Sequence, residues 1–266
     1  MTKEVADLLR KYADRYENQD FIKGDPSWFM HQVNGSLNQE TTAFVAANLS
    51  YGSRKQFMPK IQQLIDWADG DMFKWIRDGG FEKHFQPNDL SCFYRLQTKA
   101  VMYCFFNTCR TLLTIYGSIS QYLKLCMNCD MADRGKNNLD NNEYMACIDA
   151  IKYITDFYAS NGSSGVVPKD TSSACKRICM FMRWMVRADS PVDLGLWSDF
   201  IDRRTLIMPL DTHVISQAVK LDLMSCRNTS MSAAQKLTAL MGTVFPDDPL
   251  KGDFALFGYE VANLMH

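Results

Sequence analysis

The chain of 266 residues lacks the features of a membrane-spanning, secreted or disordered protein. Its most apolar segment, residues 100–116, is interrupted by Asn107 and Arg110 and is too short to cross a bilayer. The first residues carry no apolar core of the kind that signal peptides have. With 47% hydrophobic and 22% charged residues the composition is that of an ordinary globular chain, so we expect a cytoplasmic protein without membrane contact.

Patterns that would indicate a disulfide framework or a metal site are also missing. Nine cysteines without a secretion signal favour reduced thiols. The Cys-x-x-Cys at Cys126 and Cys129 has no second pair at a metal-binding spacing, so we interpret it as structural or incidental. Among the four histidines only His213 lies in a motif, and packing beside Asp211 explains it better than metal binding. We therefore expect no metal and no cofactor.

Internal repeats, low-complexity segments and convincing period-two strands are absent, whereas helical periodicity recurs along the chain. Residues 128–142 form the least hydrophobic stretch and are expected to be a surface loop. The predicted fold class is all-α. Helices are predicted over residues 3–16, 37–50, 55–68, 72–77, 91–116, 120–125, 143–158, 230–245 and 254–264.

Residues with chemical potential concentrate between positions 171 and 223. A helix capped by Ser172 or Ser173 would have a basic face and an apolar face. The basic face holds Lys176, Arg183 and Arg187, and the apolar face holds Ala174, Ile178, Phe181 and Met185. Residues 172–188 carry four cations and no acid in a chain of net charge −1, a pattern that suits either a phosphate backbone or a merely solvated surface.

A second helix is predicted to start inside residues 209–214, Pro-Leu-Asp-Thr-His-Val. Proline fixes its own φ and restricts the preceding residue, so the chain arrives extended and Asp211 or Thr212 can cap the helix. Asp211 is therefore either an ordinary helix cap or, in addition, a rigid carboxylate that stabilises positive charge in a ligand.

These residues resemble a known superfamily. Positions 209–214 are similar to the (Pro)-Val-Asp-Thr-His-Val segment of the helix-hairpin-helix DNA glycosylases, in which the aspartate is the catalytic carboxylate. Lys176 lies where lyase-competent members carry a nucleophilic lysine. The long interval between the two is similar to that of the archaeal 8-oxoguanine glycosylases. Residues 173–187, 193–197 and 253–258 resemble a bacterial family of unassigned function that looks like a remote branch of the same superfamily.

The resemblance implies two interleaved helical subdomains with a cleft between them. Residues 41–206 would form the central one, with a hairpin-like segment at 171–188, and residues 1–40 with 207–266 would form the second. The hairpin glycines that usually precede the lysine are replaced by Thr171-Ser172-Ser173-Ala174, which leaves its phosphate-binding geometry open. The last cysteine is Cys226, so the four C-terminal cysteines that hold an iron–sulfur cluster in many members are missing.

The implied activity is base-excision repair of double-stranded DNA by a monomer. Lys176 would form a Schiff base with the sugar, giving possible AP lyase activity, and Asp211 would stabilise the transition state. The damaged base would be an oxidised purine such as 8-oxoguanine. DNA contacts are expected from Ser172, Ser173, Arg177, Arg183, Arg187, Tyr51 and Arg54, and the base pocket from Phe254 and Phe257.

Each assignment has a competing interpretation. Lys176 could simply contact a phosphate, Gly52 beside Tyr51 could simply end a helix, and both phenylalanines could simply pack in the core. The alternative for the whole protein is a non-catalytic member of the same fold that binds nucleic acid or a protein partner.

Overall fold

Helices make up nearly all regular structure in the chain, as the sequence predicts. A computed structural model describes residues 1–134, 144–163 and 165–264, of which residues 133–134 and 262–264 are described by their backbone alone. The chain divides into two compact units. Unit 1 comprises Met1–Asp25, Ala146–Ile148 and Thr171–His266, and unit 2 comprises Pro26–Met145 and Asp149–Asp170.

Unit 2 contains most of the helices of the first two thirds of the chain, together with the strands. Its helices are α2 (Trp28–His31), α3 (Ser36–Leu49), α4 (Arg54–Trp67), α5 (Met72–Arg77), α6 (Lys99–Tyr116), α7 (Ile119–Arg134) and nearly all of α8 (Cys147–Ser160), with a 3-10 turn at Gly80–Lys83. Its strands are β1 (Cys92–Tyr94) and β2 (Gln97–Thr98), which pair antiparallel.

Helix α3 forms the centre of unit 2, because every residue from Glu40 to Leu49 is buried. The Phe44 ring packs on Tyr158 of α8, with ring centroids 5.4 Å apart. A carboxylate in such a helix needs hydrogen-bond donors. Glu40 accepts hydrogen bonds from the backbone N–H groups of Ile119 and Ser120 at 2.9 and 3.1 Å, so the buried charge caps the start of α7.

The hairpin β1–β2 replaces the first two turns of the helix predicted from residue 91. Tyr94 lies opposite Gln97, which leaves Arg95 and Leu96 as a two-residue turn. Helix α6 starts only at Lys99. A short apolar run such as residues 92–94 fits a strand as well as a helix, and no glycine or asparagine marks the turn, so the periodicity was misleading here.

Helix α7 also differs from the prediction. It continues to Arg134, so the loop predicted for 128–142 is wrong over residues 128–134, and residues 135–142 lie outside the described residues. Low hydrophobicity favoured a loop, but the polar side chains of a helix that lies at the surface give the same composition.

Unit 1 is helical in its described residues. It contains α1 (Lys3–Tyr16), α9 (Lys176–Val186), α10 (Thr212–Lys220), α11 (Met231–Gly242) and α12 (Lys251–Leu264), with 3-10 turns at Gln19–Ile22 and Arg203–Thr205. Helix α1 packs along α12. Gly258 makes this packing possible, because a Cβ there would lie only 2.3 Å from the Tyr16 ring.

A buried group of charges, the arginine cluster, ties the segments of unit 1 together. It consists of Arg183 and Arg187 of α9 with the carboxylates of Glu17, Asp193, Asp248 and Asp253. Arg187 is 2% exposed and its guanidinium lies 2.5 Å from Glu17, 2.5 Å from Asp193 and 2.7 Å from Asp248. Burial works to lower the pKa of Arg187, but Asp193 and Asp248 outweigh it and raise that pKa.

Arg183 occupies the other half of the cluster. Its side chain is 3% exposed, donates to Asp193 at 3.2 Å and binds Asp253 at the start of α12. Its guanidinium also lies 4.7 Å from the centre of the Phe254 ring. The arginine cluster therefore connects α9 with the end of α1, the segment after α9 and the start of α12.

This connection explains why the units differ from the predicted subdomains. The sequence placed residues 171–206 in the central subdomain and residues 1–40 in the second one, whereas in the structure residues 171–206 belong to unit 1 and residues 26–40 to unit 2. The carboxylates that neutralise Arg183 and Arg187 all lie in unit 1, so helix α9 is held there.

None of the helices in the described part of the chain combines the length and apolar character that crossing a membrane requires.

We expect Arg187→Met to destabilise the protein strongly. Removing one partner of a buried ion pair leaves uncompensated charge, at a cost of about 3–5 kcal/mol. Thermal and urea unfolding followed by circular dichroism measure the loss. The control is Arg204→Met, which removes an exposed arginine bound to Asp202 at 2.8 Å and should change stability little. An Arg187→Met variant as stable as the parent would show that the buried carboxylates do not need this partner.

Candidate active site

The two residues on which the sequence argument depends, Lys176 and Asp211, face each other. The Lys176 Nζ lies 3.6 Å from Oδ2 of Asp211. Their side chains are 34% and 31% exposed, so both are anchored in the protein and both remain reachable from solvent. Sequence spacing could not have shown this proximity, because 34 residues separate the two positions and most of them form no regular element.

Asp211 is held from both sides. The preceding residues 206–210 are buried, and the N–H of Met208 donates to Oγ1 of Thr238 at 2.9 Å. Oδ1 of Asp211 accepts from the N–H of Val214 at 2.8 Å, which confirms the predicted cap of α10. The cap uses one carboxylate oxygen and leaves the other directed at Lys176. The helix start thus fixes the orientation of the carboxylate.

Lys176 is the first residue of α9, and the backbone before it makes a sharp turn. Cys175 has φ +46°, a left-handed conformation that is uncommon outside glycine, asparagine and aspartate. The serine cap predicted for this helix is wrong, because the N-cap is Cys175, whose side chain makes no capping hydrogen bond. Ser173 instead pairs with Ser230 in an isolated antiparallel bridge, and the N–H of Ala174 donates to the carbonyl of Thr229 at 2.8 Å.

The predicted DNA-contact residues of this segment fall into two groups. Ser172 and Ser173 are exposed, and Arg177 is half-buried. Arg183 and Arg187 are enclosed in the arginine cluster, so the prediction that they contact DNA is wrong. Helical periodicity correctly put both on one face, but that face is covered by carboxylates from other segments.

The two phenylalanines predicted for a base pocket differ in exposure. Phe254 is fully buried, with the Phe21 ring 4.8 Å from its own, so the prediction that it stacks on a base is wrong. Phe257 is partly exposed and packs against the rings of Tyr16 and Phe21, at 6.0 and 4.9 Å.

The remaining predicted contacts lie in unit 2. Arg54 is exposed at the start of α4, and the exposed Tyr51 precedes it. The guanidinium of Arg95 lies 4.8 Å from the centre of the Tyr51 ring. Sequence reasoning missed Arg95 because the segment around it was assigned to a helix.

Two further residues lie near the Lys176 and Asp211 pair: His213, which follows Asp211 closely in the chain, and Asp253, which is close to it in space. Nδ1 of His213 is 2.6 Å from Oε1 of Glu260, so this largely exposed histidine is engaged with α12. Burial raises the pKa of Asp253, Arg183 opposes that shift, and the charge of Asp211 adds to it. Asp253 is therefore a second acidic group within electrostatic range of Asp211, and nothing in its spacing indicated this.

The pair can support chemistry at a carbon that develops positive charge. A fixed carboxylate stabilises such a carbon, and an amine beside it can form a covalent bond to it once the amine has lost a proton. Among the described residues no group of three or more His, Cys, Asp or Glu side chains is arranged to hold a metal ion.

Replacing Asp211 should separate its role in folding from its charge. Asn caps helices as well as Asp does, so the free energy of unfolding of Asp211→Asn should lie within about 1 kcal/mol of the parent value. Asp211→Ala loses the cap, and its free energy of unfolding should fall by about 0.5–2 kcal/mol. Urea unfolding measures both. Asp71 caps α5 through the N–H of Lys74 at 2.9 Å, and its Asn and Ala variants are the matched controls. Equal losses in Asp211→Asn and Asp211→Ala would contradict the capping role.

Comparison with known proteins gives the family. No curated protein and no solved structure matches the chain significantly. A family profile described as protein of unknown function (DUF2400) matches residues 25–262, a range that includes both Lys176 and Asp211. The match covers most of the chain, so this protein belongs to the DUF2400 family.

Proposed function

We propose that this protein is a DNA base-excision glycosylase with AP lyase activity, of the helix-hairpin-helix type and from a remote branch of that superfamily. The observation that carries the proposal is the position of the Lys176 amine 3.6 Å from the Asp211 carboxylate, with both groups open to solvent. The resemblance of residues 209–214 to the glycosylase motif gives the pair its assigned roles.

The first step is breakage of the bond between C1′ of the sugar and the base. The bonding electron pair leaves with the base, and the sugar acquires positive charge that the Asp211 carboxylate stabilises. The Lys176 ammonium gives one proton to the departing base. Because the carboxylate is fixed by the cap of α10, it needs no reorganisation as the charge develops.

The second step is attack by the neutral Lys176 amine on C1′. A nitrogen–carbon bond forms, the bond from C1′ to the ring oxygen opens, and a proton passes from the nitrogen to that oxygen, giving a protonated Schiff base. Solvent water then takes a 2′ proton, the electrons of that carbon–hydrogen bond form a double bond between C2′ and C3′, and the 3′ phosphate leaves with the carbon–oxygen electron pair, which cuts the strand. The strand break therefore depends on the lysine, whereas base release depends most on the aspartate.

A base in duplex DNA must leave the stack before these groups can reach it. Contacts with phosphates offset part of that cost. The half-buried Arg177, next to Lys176, and the exposed Ser172 and Ser173, shortly before it, are the nearest candidates in the chain. The burial of Arg183 and Arg187 means that α9 offers fewer phosphate contacts than its sequence suggests. The preference for an oxidised purine, such as 8-oxoguanine, follows from the resemblance alone.

One observation favours a second candidate, a non-catalytic protein that binds nucleic acid or another protein. Lys176 and Asp211 neutralise each other as an ion pair, and such a pair can be purely structural.

Borohydride trapping on labelled duplexes that carry 8-oxoguanine, uracil or an abasic site tests the proposal. Borohydride reduces the Schiff base and fixes the protein on DNA. We expect an adduct with the parent protein, none with Lys176→Gln, and base release reduced by at least about a hundredfold with Asp211→Asn.

The matched control is Lys220→Gln, which removes an exposed lysine at the end of α10. It should trap as well as the parent. An adduct that survives in Lys176→Gln would assign the chemistry to another amine. Salt-sensitive DNA binding without any adduct or base release would favour the non-catalytic candidate.

A further inference from the structure

The dipeptide Asn-Gly occurs twice in the chain, at residues 34–35 and 161–162, and both copies are exposed parts of unit 2. Asparagine is one of the chemically labile residues, and a following glycine leaves the next backbone nitrogen unshielded because it has no side chain. A Cβ built on either glycine would meet no atom within 4 Å. Steric access therefore does not distinguish the two copies.

The second copy is held by hydrogen bonds. Asn161 directly follows α8, and its side-chain Nδ2 donates to the carbonyl of Phe157 at 2.8 Å. The N–H of Gly162 donates to the carbonyl of Ala159 at 3.3 Å. The side-chain amide and the next backbone nitrogen are thus both engaged with the last turn of α8. Both bonds must break before these two groups can react with each other.

The first copy lacks these two restraints. It lies between α2 and α3, and no described residue accepts a hydrogen bond from the N–H of Gly35 or binds the side chain of Asn34. The hydrogen bonds that this copy does form use its carbonyls, which accept from Nδ2 of Asn38 at 3.4 Å and from the N–H of Gln39 at 2.8 Å. The side chain of Asn34 can therefore approach the nitrogen of Gly35 while the fold stays intact.

We propose that Asn34 is a self-modification site, which converts in the folded protein, through a succinimide with Gly35, to a mixture of aspartate and isoaspartate. Asn161 has the same local sequence chemistry and is protected by its hydrogen bonds. The proposal depends on neither Lys176 nor Asp211.

The reaction needs only water. Hydroxide removes the proton of the Gly35 N–H, and the nitrogen attacks Cγ of Asn34. As this nitrogen–carbon bond forms, the carbon–nitrogen bond of the side-chain amide breaks, and its electron pair leaves with the nitrogen, which takes a proton from water and departs as ammonia. Water then adds to one carbonyl of the five-membered ring. Cleavage between the ring nitrogen and Cγ gives aspartate, whereas cleavage between that nitrogen and the backbone carbonyl gives isoaspartate, whose main chain runs through Cγ.

The position of Asn34 gives the modification a structural effect. Isoaspartate adds one methylene to the backbone directly before Gly35, the N-cap of α3. It also shifts the carbonyl that faces Asn38, whose side chain donates to the carbonyl of Gly70 at 2.8 Å and accepts from the N–H of Met72 at 2.9 Å. The modification therefore acts on the contact between α3 and the start of α5.

Incubation of the folded protein, followed by tryptic digestion and mass spectrometry, tests the proposal. The two copies fall in separate peptides, residues 24–54 and 153–169, and fragmentation assigns the mass gain of one dalton to a single asparagine. We expect Asn34 to convert at least about tenfold faster than Asn161, because two hydrogen bonds protect the second copy. The rate at Asn34 should rise with pH, since the attacking nitrogen must lose its proton. In concentrated urea the two rates should become comparable, because unfolding removes those bonds.

The matched variant is Asn34→Gln, because glutamine would have to close a six-membered ring and reacts far more slowly. A protein isoaspartate methyltransferase with labelled S-adenosylmethionine should label the aged parent and leave aged Asn34→Gln unlabelled. Asn34→Asp carries the charge of the product without the added methylene, so it should unfold like the parent. The aged, isoaspartate-containing fraction, separated by ion exchange, should unfold at a lower temperature.

The outcomes are distinct. Equal conversion of the two copies in the folded protein, faster conversion at Asn161, or no conversion at Asn34 overturns the proposal. A rate difference that persists in urea also overturns it, because local sequence and not hydrogen bonding would then be the cause. Labelling of aged Asn34→Gln as strong as that of the parent would place the isoaspartate elsewhere and overturn the assignment to Asn34.

Discussion

Neutralisation of two buried guanidinium groups is the constraint on which unit 1 depends. Arg183 and Arg187 lie on one side of α9 and cannot be left without counter-charges, so four carboxylates converge on them from separate parts of the chain. Burial raises the pKa of Asp193, and the two arginines only partly offset this. An interaction of this kind specifies which segments meet, more than it adds net stability.

The same constraint positions the candidate active site. Helix α9 begins at Lys176 and continues into the arginine cluster, so fixing the helix also fixes the base of the lysine side chain. Asp211 is fixed separately, by the buried run before it and by its bond to Val214. Two independent anchors thus hold an amine and a carboxylate at 3.6 Å, while the ends of both side chains stay accessible. Preorganisation of this kind is what covalent chemistry at an electron-deficient carbon requires.

Local patterns predicted local structure well, and failed where contacts between distant segments decided the outcome. The helices at Lys3–Tyr16 and Met72–Arg77 and the cap at Asp211 follow from periodicity and capping chemistry. The same periodicity grouped Lys176 with Arg183 and Arg187 but could not show that carboxylates cover the two arginines. The hairpin at residues 92–98 was not predicted, because its turn has Arg95 at a position that usually holds glycine. Arg95 is held there by contacts with Tyr51 and Gly52, which lie far away in sequence. The position of Asp253 near Asp211 likewise has no local signature.

The packing of α1 along α12 has a consequence for the order of folding. Tyr16 belongs to the first described element of unit 1 in chain order, whereas Gly258, the position on α12 against which its ring lies, belongs to the last and is synthesised after it. Most of unit 2 is continuous in sequence, so its helices have all been synthesised before α12 is made. Because distant contacts form only after the chain between them has been closed into a loop, α1 stays without its partner helix while unit 2 assembles. Assembly of the helix pair that completes unit 1 is therefore a late event, and the Lys176 and Asp211 site matures with the most non-local part of the fold.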